Sequence, residues 1–528
     1  MMNFNDIYDT YEKKGYYEPF TMGEHLENWA EKYGDKTALV EEDKRITYRE
    51  LNQKVYELAA GFYKTGIGKG DNVVVQLPNS IAFVITCFAL FRIGARPVFS
   101  LPAHRESELN GVFNIAKPVA YIIPTDFLGF DYSVMAEKMS EKYPCLKLII
   151  TDGQAGDYIN LNDLFIEPSD IEDEPSYKET ALFLLSGGTT TGKPKLIPKI
   201  HSAYMYNAKA SAVRCGLDET SVYLAFLPIA HDFPFCSPGV LGTLLSGGKV
   251  VLCKTSSPDE VFPMIEREQV TVMALVPAIG EVWLDAVMWG ESADFSSIKL
   301  VIVGATKIEY DTAERLSETM GCKIQQGYGL GEGLTCFTSL DDPVEIAYTC
   351  QGSPISQGDE VKVVDENGEE VEKGEYGELL EKGPYTFTGY YNSPELNEKA
   401  FTDDGFFRTG DRARFTKEGN IQLGGRIIEI INRAGEKIVP AELEDHLRKY
   451  KEIKDAAVVP MPDKDLGQAI CAFITTDDYD INFADINEFL RNEGVAAYRM
   501  PDKIKVIDFL PRTNVGKVDK VTLKKMLE

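Results

Sequence analysis

The stretch Leu185-Ser-Gly-Gly-Thr-Thr-Thr-Gly-Lys-Pro-Lys-Leu-Ile-Pro198 decides how the rest of the chain is read. It follows the apolar run 181–185, whose pattern predicts a buried strand. Glycines let a turn bring successive backbone N–H groups to one point, threonine hydroxyls add rotatable donors, and Lys193 and Lys195 add positive charge. That combination suits phosphate oxygens and points first to a nucleoside triphosphate. Gly187 and Gly192-Lys193 have the spacing of a Walker-type loop, but Pro194 stands where such a loop needs a Ser or Thr hydroxyl for Mg²⁺. A Walker NTPase, which would release ADP and phosphate, thus lacks its metal ligand here. Taken alone, the run leaves a plain surface turn open.

At 528 residues the chain is too long for one ordinary core and predicts at least two domains. Its 55 Lys+Arg against 83 Asp+Glu give a net charge of −28, which disfavours nucleic acid and anionic lipid as partners. Nine cysteines are scattered with no C-x-x-C pair, a pattern that predicts reduced thiols, no zinc and a cytoplasmic protein. The acidic N-terminal residues lack the basic and apolar regions of a signal peptide. The most apolar run, 81–91, is far too short to cross a bilayer and reads as a buried helix, so no membrane partner is expected.

Outward from the opening stretch, the pattern alternates. Helices are predicted over 47–62, 81–92, from Glu106, over 204–214 and over 259–268, with strands at 72–77, 97–101, 120–124, 222–226, 249–253, 270–276 and 299–304. This is an α/β chain with parallel-rich sheets covered by helices. Around Asp359 the texture turns to short strands, with Asn367-Gly368 as a hairpin signal. A small α+β unit follows, and the boundary near Gly424–Glu429 divides the chain into 1–424 and 425–528.

Three more polar stretches join the phosphate-loop candidate. Gln326-Gly-Tyr-Gly-Leu-Gly-Glu332 reads as a dense glycine turn in which Tyr328 suits a base and Glu332 suits Mg²⁺. Phe407-Arg-Thr-Gly-Asp411 places a carboxylate on a tight turn, suited to a ribose diol, and Pro511-Arg-Thr-Asn-Val-Gly-Lys517 puts a lone lysine in a loop. Singly, Tyr328 reads equally as core, Asp411 as a turn residue and Lys517 as a solvated lysine. Together and in this order, the stretches resemble the adenylate-forming superfamily of acyl-CoA synthetases, adenylation domains and luciferases over nearly the whole chain. The closer resemblance is to free-standing aryl-acid AMP ligases of the 2,3-dihydroxybenzoate and salicylate type, found in siderophore and nonribosomal peptide assembly. It is carried by Ser186-Gly-Gly-Thr with Lys195-Leu-Ile-Pro198, by Leu227-Pro-Ile-Ala-His231, by Phe235-Cys-Ser-Pro-Gly-Val-Leu-Gly242, and by Phe91-Arg-Ile-Gly-Ala-Arg-Pro-Val98 and Ile431-Asn-Arg-Ala-Gly-Glu-Lys437.

The resemblance implies a large N-terminal domain with a β-rich subdomain and a small mobile α+β C-terminal lid, with Ile428 at the hinge between them. It also implies a reaction in which a carboxylate and ATP give an acyl-adenylate and pyrophosphate, after which a thiol takes the acyl group. The acceptor implied is the phosphopantetheine of a separate aryl carrier protein, with coenzyme A as the alternative. The ATP-binding residues implied are Ser186, Gly187, Gly188, Thr189, Thr190, Thr191, Gly192, Lys195, Gly304, Ala305, Gln326, Gly327, Tyr328, Asp411, Arg426 and Lys517. Lys517, Glu332 and His231 carry catalysis, with Glu332 holding Mg²⁺, and Gly435 to Ile438 belong to the face used with the thiol. A small aromatic acid is implied at His231, Asp232, Phe233, Ser237, Gly304, Gly333 and Thr335, with Phe233 and Phe235 shaping a flat slot.

Asp232 departs from the pattern, because the branch commonly has there an Asn that reads the ring's ortho-hydroxyl. An ionised Asp only accepts, whereas Asn also donates. Asp232 therefore accepts from a phenol, pairs with an ortho-amino group, or pairs with the α-ammonium of an amino acid; turned to solvent or capping a helix, it reads nothing. A stand-alone amino-acid adenylation enzyme, an acyl-CoA ligase, and a non-catalytic acid- or carrier-binding relative are the competing functions.

Overall fold

In the computed structural model, residues 4–154, 156–186, 194–433, 436–464, 466–478, 481–493, 495–496, 499–513 and 516–527 are described. They form two units. One comprises residues 4–186, 194–360 and 381–407, and the other residues 361–380 and 408–527.

The first unit is built on two sheets. The seven-stranded sheet runs in the order Lys195–Ile200, Thr180–Ser186, Arg96–Phe99, Asn72–Val75, Ala120–Pro124, Leu148–Asp152, Ile159–Asn160. Only its first pair is antiparallel. Ile, Leu and Val dominate these strands because both faces are covered. Helices Glu106–Ala116 and Tyr132–Lys142 close one face over Val74, Val98, Tyr121 and Phe183. Helix Ile81–Arg92 has no polar face, and ten of its twelve residues are buried.

The nine-stranded sheet has a parallel centre, Lys323–Gly329, Leu300–Val303, Val272–Leu275, Val222–Ala225, Lys249–Leu252 and Thr37–Glu41. Antiparallel strands Thr335–Phe337 with Ser353–Pro354, and Lys44–Thr47, finish its two edges. Helices outside the predicted set also appear, among them Met22–Tyr33, Tyr132–Lys142, Pro277–Met288 and Tyr310–Met320. The first carries a legible signal in its capping box, Thr21 with Glu24 three residues on.

Beside this sheet the buried Glu268 carboxylate meets Arg45 at 2.5 Å, Lys249 at 3.0 Å and Arg267 at 3.2 Å. Burial raises its pKa, but Arg45 and Lys249 outweigh burial and hold it down to about 2, below the model-peptide value of 4.5. A folded pKa below the unfolded one gives stability that is fully present above pH 4.5 and is lost as pH falls toward 2. In Glu268→Gln, the acid limb of a urea-denaturation pH series is expected to flatten across that window. An unchanged limb would remove Glu268 as its source.

In the second unit, Glu360–Val364, Gly377–Lys382, Phe407–Phe415 and Ile421–Arg426 form a four-stranded sheet. The Asn367-Gly368 signal is borne out: Gly368 has φ +84°, and Asp365 accepts the N–H of Asn367 at 2.8 Å and of Glu369 at 3.0 Å. Asp411 lies inside strand Phe407–Phe415, not on the expected tight turn. Gly410 at φ +69° and a register shift after Asp411 supply the bend that had suggested one. A second sheet of five strands, with Asp455–Asp463 against Gly467–Thr475 at its centre, packs on helices Pro440–Arg448 and Phe483–Asn492 through Leu443, Leu447, Ile486 and Leu490. Lys520, at the start of helix Lys520–Lys525, pairs with Glu429 at 2.7 Å and Glu444 at 2.8 Å.

Candidate active site

The end of strand Val222–Ala225 leads into the segment that carries His231, and one side chain fixes its course. The buried Asn79 amide donates to the carbonyls of Ala225, Leu227 and Cys253 at 2.9–3.0 Å and accepts the N–H of Ile229 at 2.9 Å. The short helix Asp232–Cys236 follows, with His231 as its N-cap: Nδ1 accepts the N–H of Phe233 at 3.3 Å. Nδ1 is thereby the unprotonated nitrogen in the neutral ring, and Nε2 carries the hydrogen.

Asp232 opens this helix without capping it. Its Oδ1 accepts the hydroxyl of the fully buried Tyr204 at 2.8 Å. Burial raises the pKa of the Asp232 carboxyl, opposed first by the ammonium of Lys199. Lys199, on strand Lys195–Ile200, is only 3 % exposed and donates to the Tyr385 carbonyl at 3.2 Å. Burial lowers its pKa, and Asp232 is the leading charge that opposes the shift.

The Phe233 ring lies on bare backbone at Gly304, where an added Cβ would come within 2.8 Å of the ring tip. Phe233 and Gly304 thus make one flat wall. Beside Gly304, Ala305 holds φ +67°, a left-handed conformation that L residues rarely adopt. Ser237 Oγ accepts the Asn207 amide at 3.4 Å. Phe235 does not share the slot. It is fully buried, edge-on to Phe99 at 5.1 Å and Phe83 at 6.1 Å, because the helical turn sends it away from Phe233 into the core.

The expected glycine turn begins later than its composition suggests. Gln326 to Gly329 lie on strand Lys323–Gly329, and the turn is Leu330–Leu334, closed by 3.1 Å bonds from Leu330 N–H to the Leu334 carbonyl and from Gly333 N–H to the Leu330 carbonyl. Parallel pairing with Leu300–Val303 ends at Gln326, and antiparallel pairing with Thr335–Phe337 carries the strand on through the glycines. Gly327 is needed where Phe337 crosses it, since an added Cβ would stand 2.5 Å from that ring. The Gln326 side chain is engaged by Ala347 and Gln351, and Tyr328 is buried opposite Cys336. Thr335 is buried on the return strand.

Glu332 sits in that turn with its carboxylate buried, and Oε1 accepts the Tyr390 hydroxyl at 2.8 Å. The ammonium of Lys195 lies 4.7 Å over the Tyr390 ring. Under the turn is Glu381, fully buried, with Oε2 accepting the Thr386 hydroxyl at 2.5 Å and its carboxyl pushed up to about 8 by burial. Ser186 pairs with Lys195 at the mouth of the hairpin that carries the phosphate loop. Gly187, Gly188, Thr189, Thr190, Thr191 and Gly192 lie outside the described residues, as does Gly435.

In the second unit, Asp411 and Arg426 face each other across strands Phe407–Phe415 and Ile421–Arg426, with Nε 2.7 Å from Oδ1. Lys517 closes a small loop: its carbonyl accepts the Thr513 N–H at 2.6 Å, and its own N–H donates to the Thr513 hydroxyl at 3.2 Å.

Among the sequence-derived residues, the structure brings together Asp232, Phe233 and Gly304 around the His231 turn, with Glu332 within electrostatic reach of Asp232 and Lys199. It adds Lys199, Tyr204, Asn79, Tyr390 and Glu381. Sequence patterns hid the last four. Lys199 had a signal, as a lysine at an apolar strand position after Leu196 and Ile197.

Among the described residues no three ligating side chains form a metal cluster. A lone carboxylate at Glu332 nevertheless fits Mg²⁺, which keeps its waters and binds through one or two carboxylates plus substrate phosphates. Among the described residues no helix is long and apolar enough to cross a membrane.

The family model described as AMP-binding enzyme matches residues 26–391, and that for the AMP-binding enzyme C-terminal domain matches residues 442–517. The chain is 45 % identical over 523 residues to the 2,3-dihydroxybenzoate-AMP ligase of Bacillus subtilis, covering 99 % of this chain and 96 % of the relative. It is 38 % identical over 525 residues to the salicyl-AMP ligase / salicyl-S-ArCP synthetase of Mycobacterium tuberculosis, covering 98 % and 93 %. Among solved structures, apo MbtA of Mycobacterium smegmatis matches with a TM-score of 0.77 at 36 % identity, covering 99 % and 98 %.

Proposed function

The chain belongs to the AMP-binding enzyme family, and from that premise we propose that it is an aryl-acid AMP ligase that activates an ortho-substituted aromatic carboxylate with ATP and passes the acyl group to a carrier-protein thiol. The observation that carries this reading is the wall of Phe233 on bare Gly304 beside Asp232, whose carboxylate accepts the hydroxyl of the buried Tyr204. A flat apolar wall next to one polar group suits a planar ring with one polar substituent.

In the first step a carboxylate oxygen of the acid attacks the α-phosphorus of ATP. The bond to the bridging α–β oxygen breaks, and pyrophosphate leaves. Negative charge is concentrated at that phosphorus, so fixed donors and cations lower the barrier. Ser186, the hydroxyl-rich loop after it and Lys195 hold phosphate oxygens; Tyr328, with Gln326 and Gly327, borders adenine; and Asp411, kept in place by Arg426, accepts the ribose hydroxyls. His231, with Nε2–H as donor, orients the acid's carboxylate. Glu332, steadied by Tyr390, holds Mg²⁺, which when bound supplies positive charge to the phosphates. Lys517 neutralises the carboxylate and α-phosphate as they combine, and a flexible lysine suits a role needed in one step only. In the second step the thiol sulfur attacks the acyl carbonyl and AMP leaves, on the carrier-facing surface of the 425–528 lid. The carrier reading is supported by the similarity to a salicyl-S-ArCP synthetase.

The test is acid-dependent ATP–pyrophosphate exchange across benzoate, salicylate, 2,3-dihydroxybenzoate, 2-aminobenzoate, 2-amino-3-hydroxybenzoate and several amino acids, followed by thioester formation on an aryl carrier protein and on coenzyme A. Exchange with an ortho-substituted aryl acid and acylation of the carrier are expected. Exchange with amino acids alone, or acylation of coenzyme A alone, would reject the corresponding half.

A further inference from the structure

We propose that the acid carries an ortho-amino group, and that Lys199 and Tyr204 set this preference by keeping Asp232 an acceptor. The inference rests on the adenylation reading above and narrows its substrate.

Two neighbours fix the character of Asp232. Tyr204 is fully buried, and both burial and Asp232 push its phenol well above the ordinary range, so it stays protonated and donates to Oδ1 at 2.8 Å. Lys199 is the leading charge that favours ionised Asp232, and Asp232 is the leading charge that favours protonated Lys199. Burial works against both charges, and each is the leading charge that opposes it for the other. As a carboxylate, Asp232 offers lone pairs alone to a ligand. Because Lys199 balances its charge, the subsite as a whole suits a neutral group. An amino acid's α-ammonium would leave an uncompensated buried cation beside Lys199.

The chemistry of ortho-substituted acids separates the remaining candidates. In a 2-hydroxy acid the single phenolic hydrogen closes a six-membered ring onto the acid's own carboxylate. The phenol oxygen then turns lone pairs outward, toward the lone pairs of Asp232. A 2-amino acid has two N–H bonds. One closes the same ring and the other donates to Asp232. An Asn at this position would offer an N–H to the phenol oxygen instead, so the carboxylate inverts the preference. Leaving a buried polar group without its partner corresponds to about tenfold discrimination or more.

The decisive measurement is kcat/KM in pyrophosphate exchange for 2-aminobenzoate against salicylate, and for 2-amino-3-hydroxybenzoate against 2,3-dihydroxybenzoate, with the unmodified chain. The amino member of each pair is expected to lead by about tenfold or more. Asp232→Asn should reverse the order, and Lys199→Met should narrow the gap by weakening 2-aminobenzoate more than salicylate. A hydroxy acid preferred by the unmodified chain overturns the inference while leaving the adenylation reading intact. No exchange with any aryl acid overturns the adenylation reading and this inference with it. The comparison within the unmodified chain decides the matter even if a variant fails to fold.

Discussion

Lys517→Ala is expected to lower acid-dependent ATP–pyrophosphate exchange by about 10²–10³-fold, the scale of removing one fixed charge-stabilising group from a transition state. Thioester formation from presynthesised acyl-adenylate should stay close to that of the unmodified chain, because attack on the carbonyl needs no charge at the α-phosphorus. The hydrogen bonds that close the Thr513–Lys517 loop use the Lys517 backbone and the Thr513 hydroxyl, which alanine leaves in place. Single-turnover transfer, measured beside exchange, checks the split. Equal loss of both half-reactions would mean that Lys517 acts on the whole enzyme and would end its assignment to the first step.

Gly333→Ala is expected to damage both stability and adenylation. The new Cβ would stand 2.2 Å from Oε1 of Glu381 and 2.9 Å from its carboxyl carbon. Glu381 cannot swing aside freely, since it is fully buried and bonded to Thr386. Overpacking of this kind costs about 1–3 kcal/mol. Relief by backbone movement would shift the Leu330–Leu334 turn and, with it, Glu332. The expected signature is a lower Tm together with a raised Mg²⁺ requirement in exchange. Gly333→Ala combined with Glu381→Ser, which clears the space, should recover much of the stability. A single variant as stable and as active as the unmodified chain would show that the turn has room the structure does not display.

Most of the first unit was legible in sequence because its parallel strands are buried on both faces and read as unbroken apolar runs. Strand 120–124 and helix 81–92 match residue for residue. Glycine-rich composition misled where pairing decided. The strand Lys323–Gly329 keeps a ladder through Gly327 by pairing with Thr335–Phe337, and Gly410 bends a strand without ending it. Helices Pro277–Met288 and Tyr310–Met320 escaped because one is apolar with little periodicity and the other lacks a side-chain N-cap. At the site, Asp232 stood out by type, but its neighbours did not. Tyr204 and Lys199 come from a helix and a strand about thirty residues upstream, and only the packing of those elements sets them beside it. The long-range partners Tyr390 of Glu332 and Asn79 of the His231 segment are hidden for the same reason.

Asn79 ties the segment ahead of His231 through backbone carbonyls and one backbone N–H, contacts indifferent to the side chains of the residues held. The path of the chain into residues 231–237 is therefore inherited from strand ends and one amide, not from the residues that read the acid. Such a pocket can be rewritten without rewriting its frame. Segments spanning 232–237 should be exchangeable as cassettes between relatives that retain the amide, which gives selection, and protein engineering, a short route from one aromatic acid to another.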